Sequence, residues 1–146
     1  MSKFYKVDSA GNKIAAESES NAVNAVLLTD NRTLLASESG SVFMIATDAK
    51  TITLPATALG LLYRIINTGS AGHNIVTISP QAADGISGTI TLAATVVVDA
   101  GVIDKDLINT KATAQAGDCV TLLGTGIAGT TAWIILSSTG IWAAQG

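Results

Sequence analysis

The feature of this sequence that most constrains its fold is a succession of short β-prone runs, separated by turn signals, that follows Ser37. Threonine, valine and isoleucine fill these runs, and β-branched residues favour pleated strands because their χ1 angle is restricted. Turn residues recur at intervals near the roughly 8–12 residues expected of sandwiches and barrels. The runs lie at residues 41–47, 51–54, 61–67, 74–79, 89–93, 95–99, 106–113, 119–123 and 132–137. The sequence therefore predicts an all-β domain, an antiparallel β-sandwich or jelly roll, over residues 33–146.

Residues 1–32 differ from this pattern, and we predict that they form an extended N-terminal arm and lead-in. Residues 1–20 are polar and lack a clear period, whereas residues 22–28 suit either a short helix or a strand. One interpretation of the start of the chain is a frayed terminus. The other is a docking arm, because two aromatic residues stand between two lysines. The candidate partner-binding residues of the arm are Lys3, Phe4, Tyr5 and Lys6.

The balance of apolar and charged residues indicates that part of the exterior is covered by other chains. Hydrophobic residues make up 48% of the chain and charged residues 13%, against about 25% charged residues in typical soluble domains. This composition excludes intrinsic disorder, which requires low hydrophobicity and high net charge. It also argues against a freely diffusing monomer. The net charge is −3 and no basic stripe is present, so we expect no nucleic-acid partner.

A long uncharged segment, residues 119–146, raises the question of a membrane span. A spanning helix needs roughly 20 consecutive apolar residues, but glycine, serine and threonine divide this segment. Two short apolar runs remain, at 120–123 and 132–136, on either side of a glycine-threonine turn. That pattern predicts a β-hairpin and no membrane partner. No apolar stretch of a secretory signal follows Met1.

None of the candidate chemical motifs has the context that its chemistry needs. Residues 124–129 match the dinucleotide pattern G-x-G-x-x-G, but a strand follows instead of a helix, and no acid occurs after Asp118. His73 is the single histidine and lies in a turn, where we expect it to face water. Asp104 and Asp106 begin a calcium-loop pattern that then fails, so a solvated loop is the simpler interpretation. We predict no catalytic residue, no metal ion and no cofactor.

The tryptophans and the single cysteine lie near the end of the chain. Trp133 is expected in the core, and Cys119 is expected to be a buried, inert thiol. Trp142 has two interpretations of equal weight: it closes one end of the sandwich, or it is an oligomer contact.

Residues 32–67 resemble a pattern found in virion proteins of tailed bacteriophages. The pattern is a leader, TLLASESG, then a strand, ITLPA, GLLY and another strand. The segment AGDCVTLLG at 116–124, followed by AWIIL and GIW, resembles the closing hairpin of the same proteins. Among them, the chain looks most like a head decoration (cement) protein. The resemblance implies a β-rich homotrimer, often with an N-terminal arm, whose partner is the major capsid protein.

The expected function is therefore that of a structural, non-enzymatic protein on the outer surface of the capsid. It would stabilise the shell by bridging capsid subunits as an oligomer. The alternatives are a tail-fibre or tail-tip module that binds a host surface glycan, and a hydrolase that uses a carboxylate pair.

Overall fold

A computed structural model describes residues 5–7, 9–11, 13–15, 23–72, 74–92 and 95–146, and over these residues the protein is all-β. A single turn of 3-10 helix, Ala36–Glu38, interrupts the strands of this described part. The strands are β1 (Tyr5–Val7), β2 (Lys13–Ala15), β3 (Ala25–Leu28), β4 (Arg32–Thr33), β5 (Val42–Ile45), β6 (Lys50–Thr53), β7 (Leu62–Asn67), β8 (Val76–Ser79), β9 (Asp84–Leu92), β10 (Thr95–Asp99), β11 (Leu107–Asn109), β12 (Cys119–Gly124), β13 (Gly129–Thr139) and β14 (Ala143–Ala144).

The strands beyond β2 form two mixed sheets, so the predicted antiparallel arrangement is wrong in part. The seven-stranded sheet has the order β10-β9-β13-β12-β7-β5-β3, and the five-stranded sheet has the order β14-β11-β8-β6-β4. The pairs β3–β5, β5–β7, β4–β6, β6–β8 and β9–β13 are parallel. From β3 to β8, successive strands lie alternately in the seven-stranded and the five-stranded sheet. Consecutive strands of the same sheet are therefore separated by a strand of the other sheet, and they run parallel to each other.

The sheets include residues that the sequence analysis grouped with the arm. Residues 25–28 form strand β3, rather than a helix, at one edge of the seven-stranded sheet. Leu28 is buried and belongs to the hydrophobic core, and Arg32 pairs with Ile52 in the other sheet. Strands β1 and β2 pair with each other in a separate antiparallel ribbon.

Strand β9 begins where the sequence predicts a break. Asp84 and Gly85 look like turn residues, but they open the strand, and Asp84 pairs in parallel with Gly129. A Cβ atom at Gly85 would lie 3.0 Å from the carbonyl oxygens of Gly101 and Thr130. Glycine therefore serves close packing of neighbouring backbones here, and not a turn.

The predicted hairpin near the end of the chain is confirmed. β12 and β13 pair antiparallel, with an irregularity in register between Thr121 and Leu122. The glycines between the strands turn the chain, and Gly126 has a φ of 75°. Cys119 is half-buried instead of buried as predicted, because alternate residues of β12 face away from the core.

One hydrophobic core is built from both sheets. Its members include Phe43, Ile45, Tyr63, Ile65, Val120, Leu122 and Trp133 from the seven-stranded sheet, and Ile52, Val76, Ile78 and Leu107 from the five-stranded sheet. The centroid of the Tyr63 ring lies 5.7 Å from that of Trp133, at a tilted angle that aromatic pairs favour. The expectation for Trp133 is thus confirmed.

Trp142 also lies in the core. Its side chain is 0% exposed within the single chain, and its Nε1 donates a hydrogen bond of 2.9 Å to the carbonyl oxygen of Thr139. This placement agrees with the interpretation that Trp142 closes the molecule. A side chain that its own chain already covers has no surface to offer as an oligomer contact.

Candidate interaction surface

The residues singled out for possible chemistry do not form a reactive cluster. Within the described ranges, no group of three or more histidine, cysteine, aspartate or glutamate residues is placed to hold a metal ion. Asp104 is exposed on a loop, whereas Asp106 is half-buried and its backbone carbonyl accepts a hydrogen bond from Gln145. His73 lies outside the described residues.

The candidate residues of the arm are described only in part. Lys3 and Phe4 lie outside the described residues. The backbones of Tyr5 and Lys6 belong to β1, where they pair with Ala15 and Ile14. The side chains of Tyr5 and Lys6 are also outside the described part of the chain.

Asp84, which is 3% exposed, ties together the loops at one end of the sheets. Its Oδ2 accepts a hydrogen bond of 2.9 Å from the backbone N–H of Thr57, and its carbonyl oxygen accepts one of 3.0 Å from the N–H of Asp104. The Thr57 hydroxyl in turn accepts a hydrogen bond of 3.1 Å from the N–H of Gly126. We call the meeting place of these loops, at 55–61, 100–106 and 125–128, the Asp84 end.

Large apolar side chains are exposed on each of the three loops of the Asp84 end, Val102 and Ile103 on one of them, and the two most exposed lie on the other two loops. Leu59 is 86% exposed and Ile127 is 68% exposed. Their loops touch, because a Cβ atom at Gly126 would lie 2.9 Å from the backbone nitrogen of Leu59. We call these two side chains the apolar tip. Adjoining exposed apolar residues mark an interaction surface more often than scattered ones do.

A second feature, the Arg64 groove, lies on the face of the seven-stranded sheet that points away from the core. It has a volume of about 200 Å³, and its walls include Val23, Val42, Leu62 and Thr121. The Nε of Arg64 donates a hydrogen bond of 3.1 Å to the hydroxyl of Thr121, which is buried. A cation therefore stands in a mainly apolar hollow, whose lining also includes Ser41 and Thr121.

The opposite end of the strands is closed by buried polar side chains, which we call the asparagine end. They are Asn67, Asn74, Asn109 and Asp118. Asn67 donates a hydrogen bond of 2.8 Å to Oδ1 of Asn109 and accepts one of 3.0 Å from Asn74. Asn109 donates one of 2.8 Å to Oδ2 of Asp118. The chain of amides joins the end of β7 in one sheet to the end of β11 in the other.

Backbone groups complete the network at the asparagine end. The Oδ2 of Asp118 accepts a hydrogen bond of 2.9 Å from the N–H of Gln115, and Nδ2 of Asn109 donates one of 3.1 Å to the carbonyl oxygen of Ile141. Gly140 packs so closely that a Cβ atom there would overlap the carboxyl group of Asp118. This network has the satisfied, close-packed character of a structural element, so we do not place a binding site here.

Two ionisable groups among the described residues have perturbed pKa values. The ammonium group of Lys111, which donates a hydrogen bond to Asp48, lowers the pKa of Asp48 below its ordinary 3.8, with a further contribution from the N–H of Ile75. Burial, and then the charge of Glu38, raise the pKa of Tyr63. The Tyr63 hydroxyl donates a hydrogen bond of 2.8 Å to the carbonyl oxygen of Leu35. Both perturbations come from structural contacts.

No prediction from the sequence covers the apolar tip or Arg64. Leu59 and Ile127 lie in runs of small and apolar residues that also suit a core, and nothing in their spacing distinguishes exposed from buried positions. Arg64 interrupts the apolar run of β7. Because side chains alternate between the two faces of a strand, its position between Tyr63 and Ile65 could have indicated that it points away from the core.

No protein-family model matches the chain, and no curated protein matches it. In the ranges that the structure describes, no helix is long and apolar enough to cross a membrane.

Proposed function

We propose that this protein is a structural, non-enzymatic component of a tailed-phage virion. It decorates the outer surface of the capsid and stabilises the shell by bridging neighbouring subunits of the major capsid protein. The resemblance of residues 32–67 and 116–142 to head decoration proteins supports this proposal, as does the all-β fold. We further propose that the protein acts as a homotrimer, with residues 1–20 as an attachment arm that includes Lys3, Phe4, Tyr5 and Lys6.

The finer architecture proposed for this role is a β-sandwich. Two mixed sheets that contribute to one hydrophobic core support face-to-face packing. In such a sandwich the connecting loops gather at the two ends of the strands, where one end is free to meet a flat partner surface.

The observation that carries the proposal is the apolar tip. Leu59 and Ile127 are large apolar side chains exposed on adjoining loops, and the loops are anchored through buried Asp84. An apolar contact on anchored loops is suited to docking, because little conformational entropy is lost in ordering the loops on binding. We assign the apolar tip to the contact with the major capsid protein.

Stabilisation of the shell then follows from mass action. A ligand that binds the assembled lattice, and not free subunits, shifts the equilibrium toward assembly. In a trimer, each bound tip raises the effective concentration of the others, so weak single contacts add up to tight attachment.

The test is co-sedimentation of the full chain with expanded capsids of the phage that encodes it. The double substitution of Leu59→Asp and Ile127→Asp should reduce attachment by on the order of tenfold or more, because it places charge in an apolar contact. The melting temperature should change by no more than about 2 °C, since both side chains are already exposed.

A matched control is Val98→Asp on strand β10, where the side chain is 77% exposed but lies away from the tip. This variant should attach like the wild type. Failure of the wild-type protein to sediment with capsids would contradict the proposal. Stabilisation by host polysaccharide, without capsid binding, would instead support a glycan-binding tail module.

A further inference from the structure

The Arg64 groove contains a cation without a carboxylate partner in the described part of the chain. Other cations of the described chain do have carboxylate partners. Arg32 forms a salt bridge with Glu38, Lys50 with Asp30, and Lys111 with Asp48. Within the described ranges, the one hydrogen-bond partner of the Arg64 guanidinium group is the Thr121 hydroxyl, at Nε. The outer nitrogens of its guanidinium group are the donors best suited to a carboxylate, which they can bind in a bidentate manner. The groove thus fits an apolar segment that carries one acidic side chain.

The loop that follows β10 has the complementary character. Val102 is 51% exposed and Ile103 is 45% exposed, and the next residue, Asp104, is also exposed. The backbone of Asp104 is fixed by its hydrogen bond to Asp84 and has a φ of 58°. Among the described residues no group donates a hydrogen bond to its carboxylate. We call residues 102–104 the acidic loop.

The groove and the acidic loop are separate surfaces of one chain. The groove is bounded by Val23, just before the edge strand β3, and by residues of β5, β7 and β12. The acidic loop follows β10 but crosses to the Asp84 end, where Gly101 packs against Thr130 of β13 and the N–H of Asp104 donates a hydrogen bond to Asp84. Two complementary surfaces at different places on one molecule allow a head-to-tail contact between copies, and such contacts close into rings when the rotation allows.

We propose that the Arg64 groove of one chain receives the acidic loop of a second copy, with the guanidinium group of Arg64 paired with the carboxylate of Asp104. Val102 and Ile103 occupy the apolar part of the groove. Repetition of this contact around an axis builds a ring. The inference rests on the proposed function in one respect only: it supplies the subunit contact of the proposed homotrimer.

A charge exchange tests the contact in the full-length protein. We expect the wild type to sediment as an oligomer in analytical ultracentrifugation. Arg64→Glu and Asp104→Lys should each raise the dissociation constant by on the order of 30-fold or more, because each opposes like charges in a desolvated contact. The double variant, with both substitutions, should recover most of the wild-type association.

Two further variants control for strain in the loop and for non-specific effects of charge. Asp104→Asn removes the charge but keeps a residue that tolerates a positive φ, so it should weaken association even if lysine strains the loop. Arg64→Glu combined with Asp30→Lys is the matched control, because Asp30 is an exposed acid whose partner is Lys50, outside the groove. This combination should not restore association. Circular dichroism and melting curves show that each variant is folded.

A wild-type protein that sediments as a monomer would overturn the proposal. So would Arg64→Glu and Asp104→Asn variants that are folded and sediment with the same oligomeric mass as the wild type. The proposal is also overturned if Asp104→Lys fails to restore the association lost in Arg64→Glu. That result would assign the groove to another acidic segment, such as the one that contains Glu17 and Glu19. Capsid co-sedimentation separates the two proposals. An oligomer that obeys the charge exchange but ignores capsids contradicts only the function, whereas a capsid-binding protein indifferent to the exchange contradicts only this inference.

Discussion

The two ends of the molecule differ in which side chains they bury and which they expose. At the asparagine end, polar side chains are buried, and each finds partners among other side chains or backbone groups. At the Asp84 end, large apolar side chains are exposed to water on loops that hydrogen bonds to Asp84 and Thr57 tie together. Burying a polar group costs free energy unless the group is hydrogen-bonded. An exposed apolar group contributes favourable free energy only when another surface covers it. The first end therefore stabilises the fold, and the second is available for contact.

The largest predicted effect concerns the asparagine end. Asn109→Ala should lower the free energy of unfolding by about 3 kcal/mol or more, because it leaves buried groups of Asn67 and Asp118 without a partner. Urea denaturation measures this loss. Asn31→Ala is the matched control: Asn31 accepts an exposed hydrogen bond from Thr51, so the loss should be below about 1 kcal/mol. Equal losses in the two variants would remove the distinction between a buried network and an ordinary surface contact.

A smaller effect is predicted for the anchor of the Asp84 end. Asp84→Ala should cost about 2 kcal/mol, because the backbone N–H of Thr57 loses its partly buried acceptor. Hydrogen exchange at the Thr57 amide should accelerate more than exchange in the core strands. Asp30→Ala, which alters a 90%-exposed side chain, should be nearly neutral. Unchanged exchange at Thr57 would show that Asp84 does not hold this loop.

The smallest effect is a pH dependence at the surface. The pKa of Asp48 is lowered in the folded protein, chiefly by the hydrogen bond from Lys111. Its contribution to stability is therefore present above the ordinary pKa of 3.8 and is lost as the pH falls through the lower, folded value. Lys111→Gln should move the pKa of Asp48 upward, as measured by a carboxyl NMR titration. Lys50→Gln should leave that pKa unchanged, and a similar rise in both variants would refute the assigned cause.

The existence of most strands could be predicted, but their partners could not. Alternating residues such as Ile52 and Leu54, or Val76 and Ile78, show which side of a strand is buried, and this signal is local. Strand direction depends on which sheet the intervening chain visits, as when β6 separates β5 from β7. That information is not contained in the alternation, so the predicted antiparallel arrangement is wrong for five pairs.

The candidate surfaces were harder to predict for a related reason. Asn67 and Asn109 look like residues that end strands, although both are fully buried. Leu59 looks like a core residue, although it is exposed. In each case the environment comes from loops distant in sequence that the fold brings together, and side-chain polarity alone misleads. Trp133, in contrast, lies in the middle of an apolar hairpin strand, where its burial was correctly predicted.

Cryo-electron microscopy of the virion would show the capsid contact itself. We expect copies of this chain on the outer surface of the capsid, with Leu59 and Ile127 against the major capsid protein and Asn109 far from that contact. Density for the chain in the tail, or density on the capsid with the asparagine end against the shell and the apolar tip in solvent, would contradict this expectation.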